Sequence, residues 1–211
     1  MTQPLYDISP PIRMGTPVFP GDTEYAEART ASIGPGCPVN VSQVIMSTHT
    51  GSHADAPFHY DADGKTVGQV DLGRYIGPCR VVHVIGVSPL IEPEHVAAHL
   101  EAGVERVLFR TYEKAPVDKW DSGFTAIAPA TVELLHEHGV VLVGLDTPSL
   151  DPEQSKTLDS HMAVRRHGMS VLETLVLDDV PAGDYELIAL PLKLMDLDAA
   201  PVRAVLRPLP A

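Results

Sequence analysis

The chain reads as an α/β fold on a mixed sheet with flanking helices, and three features of its pattern predict this. Helical and apolar strand-like stretches alternate through the middle of the sequence. The two ends are mainly extended, which favours a mixed sheet over a purely parallel one. Apolar residues at 44% and charged residues at 20% stand in the proportions of an ordinary globular protein. A length of 211 residues fits a single domain spanning residues 1–211, with ample material for a core.

Residues 4–38 are rich in Pro and Gly (PPIRMGTPVFPGD, then SIGPGCP), so a segment over about 1–38 is expected to wrap the surface as extended pieces and turns. Loops of that length are usually functional or lean on a partner subunit. Residues 41–48 (VSQVIMST) read as a strand running into a histidine-rich motif, and 80–86 (RVVHVIG) as a buried strand. Helical spacing with a terminal Gly predicts a helix over 93–103 (PEHVAAHLEAG), followed by a strand at 105–110. A second helix is expected over 131–139, stopped by Gly139, and a short apolar strand over 140–146. Residues 159–167 look helical and 171–176 extended, with last strands at 185–191 and 202–206.

A formal charge of -13 argues against nucleic acid as a partner, because phosphate binding needs clustered Lys and Arg. It also provides no long-range attraction for an anionic substrate, whose affinity must then come from local groups or a metal. The N-terminus lacks the basic and apolar regions of a signal peptide, and no apolar run reaches the roughly 18 residues of a membrane span. A cytoplasmic protein is expected. Cys37 and Cys79 fit no zinc or redox spacing and read as small buried or half-buried thiols.

The densest chemistry lies in HTGSHADAPFHY, residues 49–60. His49, His53, Asp55 and His59 are interleaved with small residues that leave room for an ion or a substrate. Imidazole with carboxylate is a ligand set for borderline divalent metals such as zinc, and three protein ligands leave an open position for water. A helical turn would place His49 and His53 on one face, and a tight loop at Gly51 and Pro57 is equally compatible. Asp159, His161, His167 and Glu173 form a second group of candidate ligands or acid–base residues in DSHMAVRRHGMSVLE. Asp159 reads as a helix cap or surface residue and His167 as a surface one. His83 reads as a core or interface histidine, and His95, His99, His136 and His138 as solvated. Trp120 reads as a packing anchor, and Asp7 and Ser9 as turn formers.

The stretch His49-Thr50-Gly51-Ser52-His53-Ala54-Asp55-Ala56-Pro57-Phe58-His59 resembles, throughout, the signature of the cyclase family of metal-dependent hydrolases. Within that family the chain is most similar to the bacterial kynurenine formamidases, through DISPPIRMGTPVFPGDT (7–23), PVNVS, YDADG, GPCRVVHVIG, GLDTPSLDP and LPLKLMDLDAAPVRAVL (190–206). The resemblance implies a barrel-like β core, a homodimer and two zinc ions per subunit. It implies that His49, His53 and Asp55 ligate one ion, that His161 ligates the other, and that Asp55 and Glu173 bridge both. His59 would be the general acid/base. Phe19 stands where those formamidases usually carry a substrate-contacting tryptophan, and Asp146, Ser149 and Asp151 would support the site structurally. The implied reaction is metal-assisted hydrolysis of N-formyl-L-kynurenine to L-kynurenine and formate. A sibling acting on another aryl amide or a lactam such as isatin uses the same motif. A non-catalytic metal-binding module is the reading from another class, and the free His59 argues against it. A serine-hydrolase route would want a G-x-S-x-G elbow, which the sequence lacks.

Overall fold

The computed structural model describes residues 4–100 and 103–209. In chain order the strands are β1 (Tyr6–Asp7), β2 (Ala26–Ala31), β3 (Val41–Ile45), β4 (His53–Asp55), β5 (Ile76–His83), β6 (Leu90–Ile91), β7 (Arg106–Arg110), β8 (Ala126–Ile127), β9 (Leu142–Leu145), β10 (Ser170–Glu173), β11 (Gly183–Ile188), β12 (Ala199–Pro201) and β13 (Val205–Pro208). The helices are α1 (Pro93–Val96), α2 (Pro129–Glu137) and α3 (Asp159–His167). Nine strands form one mixed sheet in the order β1-β13-β11-β5-β7-β9-β10-β4-β12, curled into a half-barrel. The expected mixed α/β architecture is therefore present.

The centre of the sheet, β5-β7-β9-β10, is parallel. β7, β9 and β10 are buried on both faces almost throughout, as central parallel strands require, while β5 is buried at Cys79, Val81 and Val82. Period-two alternation splits their side chains cleanly. Val107, Phe109, Val143 and Leu145 pack with Leu135 and Val164 of the helices. Leu108, Leu142 and Leu172 face the opposite core, with Ile8, Tyr75, Leu187 and Leu206. Each such side chain contributes roughly 1.5–3 kcal/mol on burial, so two cores hold the sheet from both sides.

Most expected elements appear within a few residues of their predicted limits. The 93–103 helix does not. It is a single turn, α1, followed by a 3-10 turn at Ala97–His99. Residues 101–102 of that prediction lie outside the described residues. Val96 leaves helical geometry at φ -125, and burial of Val96 and Leu100 satisfies the short segment without further turns. The N-terminal segment runs extended as its Pro and Gly content predicts. Tyr6 pairs with Leu206 at the sheet edge, and β2 and β3 form an exposed ribbon. Beyond the reading of 202–206, the chain forms two strands, β12 and β13.

Candidate active site

The motif 49–60 forms no helical turn at His49 and His53; it turns at Gly51 and Pro57, with a short strand between. Gly51, at φ +66, turns the chain, and His53–Asp55 then enters the sheet as β4 between β10 and β12. His53 and Asp55 are two apart on a strand, so both side chains point to the same face. Register does the rest. Glu173 of β10 is the Cα partner of His53, which brings a residue 120 positions downstream beside the motif. Glu173 Oε2 lies 3.2 Å from His53 Nε2.

His161 arrives from the first turn of α3. Asp151 fixes it there, accepting from Ser160 N at 2.9 Å, His161 N at 3.0 Å and His161 Nδ1 at 2.6 Å. Asp151 thus caps the helix, and Asp159 is an exposed surface residue. With Nδ1 so engaged, His161 turns Nε2 toward Asp55 Oδ2 at 3.4 Å and Glu173 Oε1 at 3.5 Å. His53 is oriented the same way: its Nδ1 donates to Gly51 O at 2.9 Å, leaving Nε2 3.4 Å from Asp55 Oδ1. Glu173 Oε1 also accepts from Leu150 N at 2.8 Å.

His49 and His59 complete the group. His49 Nδ1 lies 3.2 Å from Asp55 Oδ1, and its Nε2 donates to Asp198 Oδ2 at 2.9 Å. The same Asp198 oxygen accepts from His59 Nδ1 at 3.2 Å, and Asp198 Oδ1 accepts from the Thr48 hydroxyl. The His49 and His59 rings are 4.3 Å apart. Asp198 was not singled out from the sequence, where it is one acid among several before Ala199. Pairing of β12 with β4 is what delivers it. His59 sits on a 3-10 turn, Pro57–His59, whose backbone is backed by Gly64 so closely that a Cβ there would fall 2.5 Å from Pro57 C.

The donor set fits divalent cations. His53 Nε2, His161 Nε2 and both carboxylate oxygens of Asp55 are buried without a hydrogen-bond partner. Unpaired buried polar atoms are costly, and their convergence needs a shared positive centre. Asp55 reaches His49 and His53 through Oδ1 and His161 through Oδ2, and Glu173 reaches His53 and His161 through separate oxygens, an arrangement a bridging carboxylate requires. Burial pushes the Asp55 carboxyl up, but its contacts with His161 and His49 outweigh this and hold it well below the usual range. Glu173 is likewise lowered, against burial and the Asp55 charge, by His161 and His53. Two buried carboxylates are therefore held ionised side by side. Burial would lower His49, yet Asp55 and Asp198 raise it to about 9, and burial acts against a fall of Asp198 to about 2 driven by His49.

This cluster forms the inner wall of a cavity of about 320 Å³. Phe19 and Trp120 line its outer part, edge to face at 5.4 Å. Trp120 does pack, against Phe124 at 6.2 Å, and it faces the cavity as well. Asp146, a buried residue of the cavity lining, accepts from Thr111 N, the Thr111 hydroxyl and Tyr112 N, tying down the cavity-lining loop that follows β7. Burial raises its carboxyl to about 6 in spite of those bonds. The remaining histidines lie elsewhere. His83 bonds Val180 O, His95 Nδ1 accepts from Glu92 N, and His136 stacks on His167 at 4.0 Å. Cys79 is buried and Cys37 half-buried.

A model of the Cyclase family matches residues 6–152. The chain belongs to the cyclase family. Kynurenine formamidase of Delftia acidovorans (strain DSM 14801 / SPH-1) is 60% identical over 209 residues, covering 99% of this chain and 100% of the relative. A solved structure described as a potential metal-dependent hydrolase with cyclase activity superimposes with a TM-score of 0.85 at 29% identity, covering 100% of both chains. Isatin hydrolase A from Labrenzia aggregata shares the fold with a TM-score of 0.83 at 21% identity, over 97% of this chain and 93% of its own. A metal cofactor is consistent with both the donor set and these neighbours.

Proposed function

We propose that this chain is a metal-dependent arylformamidase that hydrolyses N-formyl-L-kynurenine to L-kynurenine and formate. The observation that carries the reading is 60% identity to a kynurenine formamidase across 99% of the chain. Two zinc ions per subunit are the cofactor in this reading. His49, His53 and Asp55 would hold one ion and His161 the other, with Asp55 and Glu173 shared. Bound there, the ions would supply Lewis acidity for activating water and the formamide.

The chain's own residues do the rest. Phe19 and Trp120 offer faces and edges to the substrate's aryl ring. With Nδ1 occupied by Asp198, His59 presents Nε2 as the nitrogen available to the cavity. That nitrogen takes a proton from the attacking water and returns it to the anilide nitrogen as the C–N bond breaks. Water oxygen ends in formate, and the aryl amine leaves neutral. Such delivery matters because an anilide anion is a poor leaving group at neutral pH.

The remaining parts of the reading are a cytoplasmic homodimer and a small-molecule substrate. No helix among the described residues is long and apolar enough to cross a membrane. The exposed apolar side chains Val41 (47%), Val44 (54%) and Ile45 (55%) on the β2–β3 ribbon support burial against a second copy. Light scattering tests the dimer. Turnover of N-formyl-L-kynurenine against isatin tests the substrate: rapid formamide cleavage supports the reading, and isatin opening with no kynurenine release overturns it.

A further inference from the structure

The histidine–carboxylate cluster accounts for the inner end of the cavity, but not for its rim. Burial orders the lining: His53, His161 and Glu173 are buried, Trp120 is half-buried, and Phe19, Asp22 and Lys119 are exposed. Among the described residues, Lys119 is the single lysine or arginine lining the cavity. Its backbone N–H donates to Pro116 O at 3.2 Å, while its ammonium makes no hydrogen bond or ion pair among the described residues. Nearby acids are already engaged. Asp118 accepts from Arg13 Nη2 at 2.5 Å, and Asp121 accepts from the Tyr112 hydroxyl and Gly123 N, both at 3.0 Å. With a net charge of -13, the molecule repels anions at long range, so an uncommitted ammonium at the cavity rim is the local group that can hold one.

We infer that Lys119 is a specificity-determining residue that binds a carboxylate at the end of the substrate remote from the scissile amide. This rests on the formamidase reading and deepens it. N-formyl-L-kynurenine carries a formamide on its aryl ring and, on the adjacent ring carbon, a keto chain that ends in a zwitterionic α-amino acid. The cavity carries the buried metal-type cluster at its inner end, the half-buried Trp120, and an exposed rim that holds Phe19, the Lys119 ammonium and the Asp22 carboxylate. The acid of the substrate meets Lys119, and Asp22 provides the complementary charge for its ammonium. A neutral lactam would leave both charges unused.

The test compares wild-type zinc enzyme with Lys119→Met and Lys119→Arg on two substrates. One is N-formyl-L-kynurenine; the other is 2-formamidoacetophenone, which keeps the ring, ketone and formamide but has no amino acid. Lys119→Met should raise KM for formylkynurenine about fivefold, with kcat nearly unchanged and the acetophenone kinetics untouched. Lys119→Arg should keep most of the affinity, and added salt should raise KM for formylkynurenine in wild type but not in Lys119→Met. If wild type cleaves formylkynurenine and Lys119→Met alters both substrates equally or neither, the assignment is overturned while the formamidase reading stands. If wild type cleaves only the acetophenone compound, the formamidase reading fails, and the role of Lys119 with it.

Discussion

The Asp198 carboxylate stands 3.2 Å from His59 Nδ1, and the same oxygen lies 2.9 Å from His49 Nε2. One acid thus orients the proposed proton carrier and a proposed metal ligand together. Asp198→Asn should lower kcat by about 10–100-fold while KM changes little, the usual cost of losing an outer-shell partner. Metal content by mass spectrometry and steady-state kinetics on the same preparation check this. Full activity would remove Asp198 from the mechanism.

His59 itself should matter more for rate than for metal. His59→Ala is expected to keep bound zinc and to lose roughly 10²–10⁴-fold in kcat, the range for a positioned acid–base group. Zinc loss parallel to activity loss would instead identify His59 as a ligand, a role its place beside His49 and Asp55 makes geometrically accessible.

Gly64 braces the turn that carries His59. A Cβ at that position would lie 2.5 Å from Pro57 C and 2.7 Å from Phe58 N, contacts that only backbone movement can relieve. Gly64→Ala should cost about 1–3 kcal/mol, or a Tm lower by about 2–10 °C, with reduced kcat as His59 shifts. Calorimetry with kinetics reads both effects, and an unchanged Tm would contradict the close packing.

Protons compete with metal at His49. In metal-stripped protein its pKa is raised to about 9, so the stabilisation it gains from Asp55 and Asp198 is complete below its unfolded value near 6.5. That stabilisation fades as pH rises through about 9. Thermal melts of stripped protein should therefore lose Tm between about pH 6.5 and 9 on this account. Zinc-loaded protein, whose ligand imidazoles are neutral, should not share that loss, and zinc affinity should strengthen over the same interval. Parallel melting curves for the two forms would refute the assignment.

What could be read from the sequence follows from how locally each feature is encoded. His49, His53, Asp55 and His59 lie within eleven residues, so their density alone marks a site. His161 and Glu173 stand among four candidates in their own segment, and only family resemblance selects them as ligands, because nothing local ties either one to the motif. Their meeting depends on antiparallel pairing of β10 with β4 and on Asp151 capping α3. β4 itself was illegible as a strand. His-Ala-Asp is three residues long, and its polar side chains give no apolar alternation to detect. Asp198, 139 residues from His59, has no local signal, and Lys119 is an ordinary surface lysine until the cavity is seen. The apolar central strands were legible for the opposite reason: burial on both faces writes itself into composition.

The central claim is that the cluster of His49, His53, Asp55, His161 and Glu173 holds the metal ions on which formamide hydrolysis depends. Titrating zinc into stripped protein while following kynurenine release from N-formyl-L-kynurenine tests it most directly. The account predicts activity near zero without metal, rising to a plateau at two zinc ions per chain. Undiminished activity in fully stripped protein would contradict it.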